Sequence, residues 1–232
     1  MTLPEPTPQP LDVWHAELCR LSIFLKDQRP IDTTAMWTLA TGVNPDATAS
    51  QPKLGIYQSD GMLGDSRLVL VNQPSRLDWL YLTAFDPELG DVVHDRLQLF
   101  EAGLGSFTAL LTPWLSACPP AQRVALGVVI RQSVSTFELG YERLKTYLPK
   151  VQIDAANSND LFYQINRPRA STRQANLQIN RLNKWNVVKH IYARIDLPSA
   201  TVQAAEGSES RSRSTAAVSY THLRAHETKA NL

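Results

Sequence analysis

The feature that most constrains this chain is a two-residue hydrophobic rhythm that returns several times along it. In "ELCRLSIFLKD", Cys19, Leu21, Ile23 and Leu25 alternate with Arg20 and Ser22, so residues 15–26 read as a strand with one buried face. "RVALGVVIR" repeats the pattern, with Val124, Leu126, Val128 and Ile130 inward and Arg123 and Arg131 outward. "KLGIYQ" and "RLVLVNQ" flank "SDGMLGD", whose two glycines permit a chain reversal, and together they predict a hairpin. "RLDWLYLTAF" starts afresh after Pro74, and "KVQID", "NDLFYQIN", "ANLQINRL" and "WNVVKHIYARIDL" predict further strands. Strands joined by short turns outnumber helices, which predicts an α+β fold with a mainly antiparallel sheet rather than alternating βαβ units.

Two stretches have helical spacing instead. From about 91 to 114, Val93, Leu97, Phe100, Leu104, Phe107, Leu111 and Trp114 recur at intervals of four and three, Asp91 is placed to cap the first turn, and "CPP" ends the run. Gly103 and Gly105 each weaken such a helix by about 1 kcal/mol relative to Ala, which predicts close packing against a neighbour. From about 135 to 148, Phe137, Tyr141, Leu144 and Leu148 align on one face and Pro149 stops the helix. "AMWTLATG" interrupts a loop region rich in Asp, Thr and Pro.

The organisation expected is an extended, Pro-rich arm over residues 1–13, a single α+β domain over 14–197, and a disordered low-complexity tail over 198–217. The last stretch, "VSYTHLRAHETKANL" (218–232), contains His222, His226 and Glu227 at a spacing used by zinc ligands on a helical turn. It lacks the further ligands and apolar shell that a metal site needs. It also resembles the conceptual translation of a transposase-type sequencing adapter, so it is expected to be adapter-derived and outside the fold. No apolar run is long enough to span a bilayer and the first ten residues are acidic and Pro-rich, which predicts a cytoplasmic chain. Cys19 and Cys118 have no CxxC spacing and are expected to be reduced, buried thiols, though one bridge between them is possible by count.

Charge is segregated. Residues 1–160 hold 12 Lys or Arg against 18 Asp or Glu, a net of −6, whereas 161–195 hold seven basic side chains and no acidic one. The repeated tetrapeptide QINR in "YQINRPRAS" and "LQINRLNKW" predicts an antiparallel ribbon turning near 168–174, with Ile165 beside Leu177 and Tyr163 beside Ile179. Gln164, Asn166, Asn176 and Gln178 would then line the other face and hydrogen-bond across strands or to a guest. Arg167, Arg169 and Arg173 would cluster at the loop end, with Arg181, Lys184 and Trp185 behind them, as a partner-binding surface for an acidic protein. The same arginines admit nucleic acid as an alternative partner, and the bland alternative is ion pairing within the fold, for example Arg181 with Asp160.

Other constellations are weaker. Asp91, His94 and Asp95 lie at helical positions that could face one metal, but aspartate in a first turn is expected for capping alone. Arg76 and Asp78 project from the same face of a strand and suggest a structural ion pair, as do His15 and Glu17. There is no nucleophile elbow, phosphate-cradling glycine loop, HExxH or dinucleotide fingerprint, so no catalytic residue, metal ligand or cofactor is assigned, and a non-catalytic binding protein is favoured over an enzyme.

The order of these elements, with early strands, the "P-x-R-x-D-W" strand of Pro74, Arg76, Asp78 and Trp79, a long amphipathic helix, an alternating strand and a polar ribbon, is similar to uncharacterised, sporadically distributed bacterial proteins of about this length. The resemblance spans residues 14–197 and implies a bacterial cytoplasmic protein of an accessory or defence-linked locus, with no functional residue to carry over.

Overall fold

The computed structural model describes residues 14–27, 31–83, 98–173 and 177–188, and the backbone of 189–191 and 219–231. The chain is α+β, and its mainly antiparallel sheet is built from β1 (His15–Leu25), β2 (Ala47–Gln51), β3 (Ile56–Leu63), β4 (Ser66–Gln73), β5 (Arg76–Thr83), β6 (Ala121–Val134), β7 (Phe162–Asn166), β8 (Arg169–Ala170), β9 (Gln178–Ile191) and β10 (Ser219–Asn231). The strand order is β2-β3-β4-β5-β1-β6-β10-β9-β7, with β8 continuing the edge beside β9. Helices α1 (Thr33–Thr41), α2 (Phe100–Leu115) and α3 (Phe137–Tyr147) complete the described fold.

Most of the alternating strands form where the periodicity places them, but "KVQID" (150–154) is turn and irregular chain rather than a strand, with Ile153 buried under α3. Cys19, Leu21, Ile23 and Leu25 of β1 are all buried, and they pair through β5 and β6 with Trp79, Leu77, Leu126 and Val124 on the same face. α1 and α2 cover this face, adding Trp37, Phe107, Leu111 and Trp114 to one core. A second core lies under α3, where Tyr141 and Leu144 meet Trp14, Ile153 and Val187 of β9.

α2 corrects the longer helix expected from 91. Leu99 has extended ψ and bridges His15, so the helix begins at Phe100, while 91–97 lie outside the described residues. The backbone of Leu99 is claimed by a sheet partner there, and that tertiary pairing overrides the helical spacing. Gly103 has the close neighbour its cost implied, because a Cβ there would lie 3.0 Å from the Ala16 Cβ, whereas Gly105 faces open space. α3 matches expectation, with Thr136 as N-cap accepting from the Leu139 amide.

α1 adds a third helix to the two expected. Asp32 caps its N-terminus through the Ala35 amide, and Gly42 closes it in the left-handed conformation at φ 77°. The β3–β4 hairpin turns later than "SDGMLGD" suggests. Its strands stay paired through Leu63 and Ser66, leaving Gly64 and Asp65 as the turn. Gly61 serves closeness instead, since a Cβ there would meet the Asp46 carboxylate at 3.0 Å and the Trp37 ring at 3.1 Å.

The strand expected to be adapter-derived lies in the sheet. The backbone of β10 pairs with β6 on one edge and β9 on the other. His222, His226 and Glu227 therefore occupy strand positions, and the one-turn helical geometry does not apply to them. Arg131 also departs from its expected outward placement, being only 3 % exposed. A position off the helix-covered face is therefore not necessarily in solvent.

Both cysteines are free thiols. Burial pushes the Cys19 thiol up to about 11 from an ordinary value of 9.0. The unfolded chain then releases this proton before the folded one does, so the contribution is whole below pH 9 and is lost as pH rises toward 11. The stability difference between the native chain and Cys19→Ala is expected to shrink over that interval in urea titrations. A difference independent of pH there would refute it.

Candidate functional site

The basic ribbon forms a hairpin of β7 and β8 against β9, six residues out of the expected register. Tyr163 pairs with Trp185 and Ile165 with Asn183, rather than with Ile179 and Leu177. The pairing continues past Pro168, with Arg169 opposite Ile179 and the Ser171 amide donating to the Leu177 carbonyl. Proline at 168 does not force the turn because it lies in the outermost ribbon, where a missing N–H breaks no ladder on the free edge. The slip is even, so every side chain keeps its face. On the amide-bearing face, Asn166 donates through Nδ2 to Asn180 Oδ1 at 3.2 Å.

This register decides which nominated side chains converge. The Arg167 amide donates to the Arg181 carbonyl at 2.9 Å, so the two arginines stand directly across from each other, with Arg169 two positions along the same face. Arg173 lies beyond β8 in the exposed bend, its amide donating to Ser171 Oγ at 3.2 Å. Lys184 alternates to the opposite face. Trp185 shares the face of Arg181 but is packed inward, stacked on Tyr147 at 5.5 Å and edge-on to Trp14 at 6.1 Å. It is a half-buried wall of the second core rather than a free contact.

Arg167, Arg169 and Arg173 are exposed, and Arg181 and Lys184 are half-buried. Among the described residues none of these five forms a salt bridge; the ion pairs there belong to Arg20, Arg67, Arg76 and Lys145. The proposed Arg181–Asp160 pair is absent among the described residues, and the Arg181 Nε is buried without a hydrogen-bond partner there. Like charges directly across a ladder repel each other, so the Arg167–Arg181 pair is a place where an anion is stabilising. Phe162, 58 % exposed at the start of the same edge strand, lies on the opposite face with Lys184 and is not part of the arginine cluster.

The Arg76–Asp78 pair forms and is larger than its spacing suggested. Asp78, 2 % exposed, takes Arg76 Nε at 2.7 Å and Arg20 Nη2 at 2.9 Å, and accepts a hydrogen bond from the Ser22 hydroxyl. One oxygen accepts hydrogen bonds from Arg20 and Ser22 and the other is ion-paired to Arg76, which marks the carboxylate as a structural centre. His15 is pushed toward its neutral form by burial and by the nearby Arg131 charge. Asp91, His94 and Asp95 lie outside the described residues.

An open cleft of about 540 Å³ lies between α1 and the β2–β3 edge, lined by Asp32, Thr33, Thr48, Ser50 and Tyr57. Its single carboxylate is occupied in capping α1. No helix among the described residues is long and apolar enough to cross a membrane. Comparison with protein-family models, with curated proteins and with solved structures finds no match.

Proposed function

We propose that this chain is a non-catalytic binding module whose contact surface is the basic hairpin, and that its partner is a protein presenting acidic side chains. One observation carries the reading: Arg167 and Arg181 oppose each other across the ladder with Arg169 beside them, and no carboxylate pairs with them among the described residues. A carboxylate-bearing partner relieves that repulsion with bidentate, charge-assisted hydrogen bonds. The acidic balance of residues 1–160 disfavours a long polyanion, which would meet repulsion beyond the hairpin. The site residues in this reading are Arg167, Arg169, Arg173 and Arg181, with Trp185 packed inward on the same face of β9, while Lys184 lies on the opposite face.

Arg167→Ala combined with Arg169→Ala is expected to weaken binding of a glutamate-rich probe peptide about tenfold or more, measured by fluorescence anisotropy, with the melting temperature within about 1 °C of the parent. A large fall in melting temperature would assign both arginines to the fold. A salt titration separates the competing class: a steep linear fall of log affinity for an oligonucleotide with log salt would favour nucleic acid over an acidic protein.

A further inference from the structure

We propose that the gap between β6 and β9 is a strand-acceptor site, which takes an extended segment of a partner polypeptide by main-chain hydrogen bonding and which β10 fills as an internal, displaceable donor. Because β10 is antiparallel to both neighbours, β6 and β9 run parallel to each other, two ladder spacings or about 9–10 Å apart. Without a strand between them, each would present an unpaired row of N–H and C=O groups.

The walls of the gap are held by contacts that do not involve β10. β6 is paired along its far edge to β1, with Cys19 opposite Val128 and Leu21 opposite Leu126. β9 is paired along its far edge to β7, with Tyr163 opposite Trp185. α3 lies across the top. A Cβ on its Gly140 would come within 2.7 Å of Val187 Cγ1 on β9 and 3.4 Å of Val134 Cγ2 on β6, so the bare helix backbone rests on both strands. A site whose two walls and roof are fixed in advance binds an extended peptide with little further ordering cost.

The donor itself is loosely specified. Ser219 pairs with Ile191, a juxtaposition that antiparallel neighbours make with a turn of about 2–5 residues, yet residues 192–218 intervene. Both ladders also lose register at the same place, just after Glu227.

The register states what a partner strand needs. Leu223 pairs with Val187, and Ala225 pairs with both Trp185 and Ile130. Val187, Trp185 and Ile130 all pack in the second core, so an incoming segment needs apolar residues at two positions two apart. It must also lack proline through the paired stretch.

The test uses the full chain carrying Leu223→Pro and His226→Pro, which removes a donor from each edge of β10. A fluorescent peptide of residues 218–232 is expected to bind this variant at least about tenfold more tightly than the unmodified chain, where the tethered strand competes. A peptide of reordered sequence that keeps the two apolar positions should bind within about threefold, and one with proline at both altered positions should not bind. No saturable binding to a variant that still melts cooperatively overturns the proposal, as does a concentration-dependent dimer without peptide binding, which assigns the gap to strand exchange between copies. If the variant does not fold, hydrogen exchange on the unmodified chain decides. Amides of 223–227 are expected to exchange at least about a hundredfold faster than those of Cys19–Ile23, and equal rates overturn the proposal.

Discussion

Trp79→Ala is expected to lower the unfolding free energy of the chain by about 3–5 kcal/mol, the largest loss at any single position. Trp79 has no solvent exposure and sits between two other indoles, stacked on Trp37 with centroids 6.4 Å apart and edge-on to Trp114 at 5.3 Å. These three rings join α1, β5 and α2, so a cavity at the middle one loosens both helices from the sheet at once. Such geometry adds about 0.5–1.5 kcal/mol per aromatic pair beyond area burial. Trp114 has a further tie, its Nε1–H lying 3.3 Å from Met36 Sδ, whereas the Trp79 Nε1 has no hydrogen-bond partner among the described residues. Trp79→Phe should therefore cost much less than Trp79→Ala, because the smaller ring keeps most of the packing and removes an unsatisfied donor. Urea denaturation of the two variants checks this; equal losses would mean that the rings are not acting as a packed cluster.

Asp78→Ala is expected to cost about 2–3 kcal/mol by leaving Arg20 and Arg76, which flank it on β1 and β5, without the carboxylate between them. The figure lies below that for a fully buried pair because the two guanidinium side chains are 38 % and 32 % exposed and can recover hydration. Ser22, itself buried, would lose the acceptor for its hydroxyl. The double variant Arg20→Ala with Asp78→Ala should lose less than the sum of the single changes, since each alone strands the other's partner. Additive losses in a double-mutant cycle would remove the centre from the account of this sheet.

Several elements were legible because their signal is local. β1, β5, β6 and α3 follow the expected spans closely, since a period of two or of 3.6 is written in adjacent residues and needs no knowledge of the partner. The signal for α1 is equally local. Its buried Thr33, Trp37 and Ala40 are at helical intervals, between an Asp cap and a closing glycine. The start of α2 was not local, because the His15–Leu99 bridge comes from a segment far away in the chain.

The hairpin shows where the limit lies. Alternation names the face of Arg167, Arg169 and Arg181, and the six-residue slip leaves those faces unchanged. It also puts Lys184, three residues from Arg181, on the other face, but it does not say that Arg167 opposes Arg181 or that Trp185 is packed against Tyr147 and Trp14.

By itself the amino-acid order determined the strand-dominated class, the amphipathic faces and the separation of an acidic body from a basic ribbon, because each depends on residues near one another in the chain. Only the tertiary structure decided the register, the Arg20–Asp78–Arg76 centre and the placing of β10 between β6 and β9. Those features depend on which remote segments share a ladder, and an even slip along a ladder leaves a two-residue pattern unaltered.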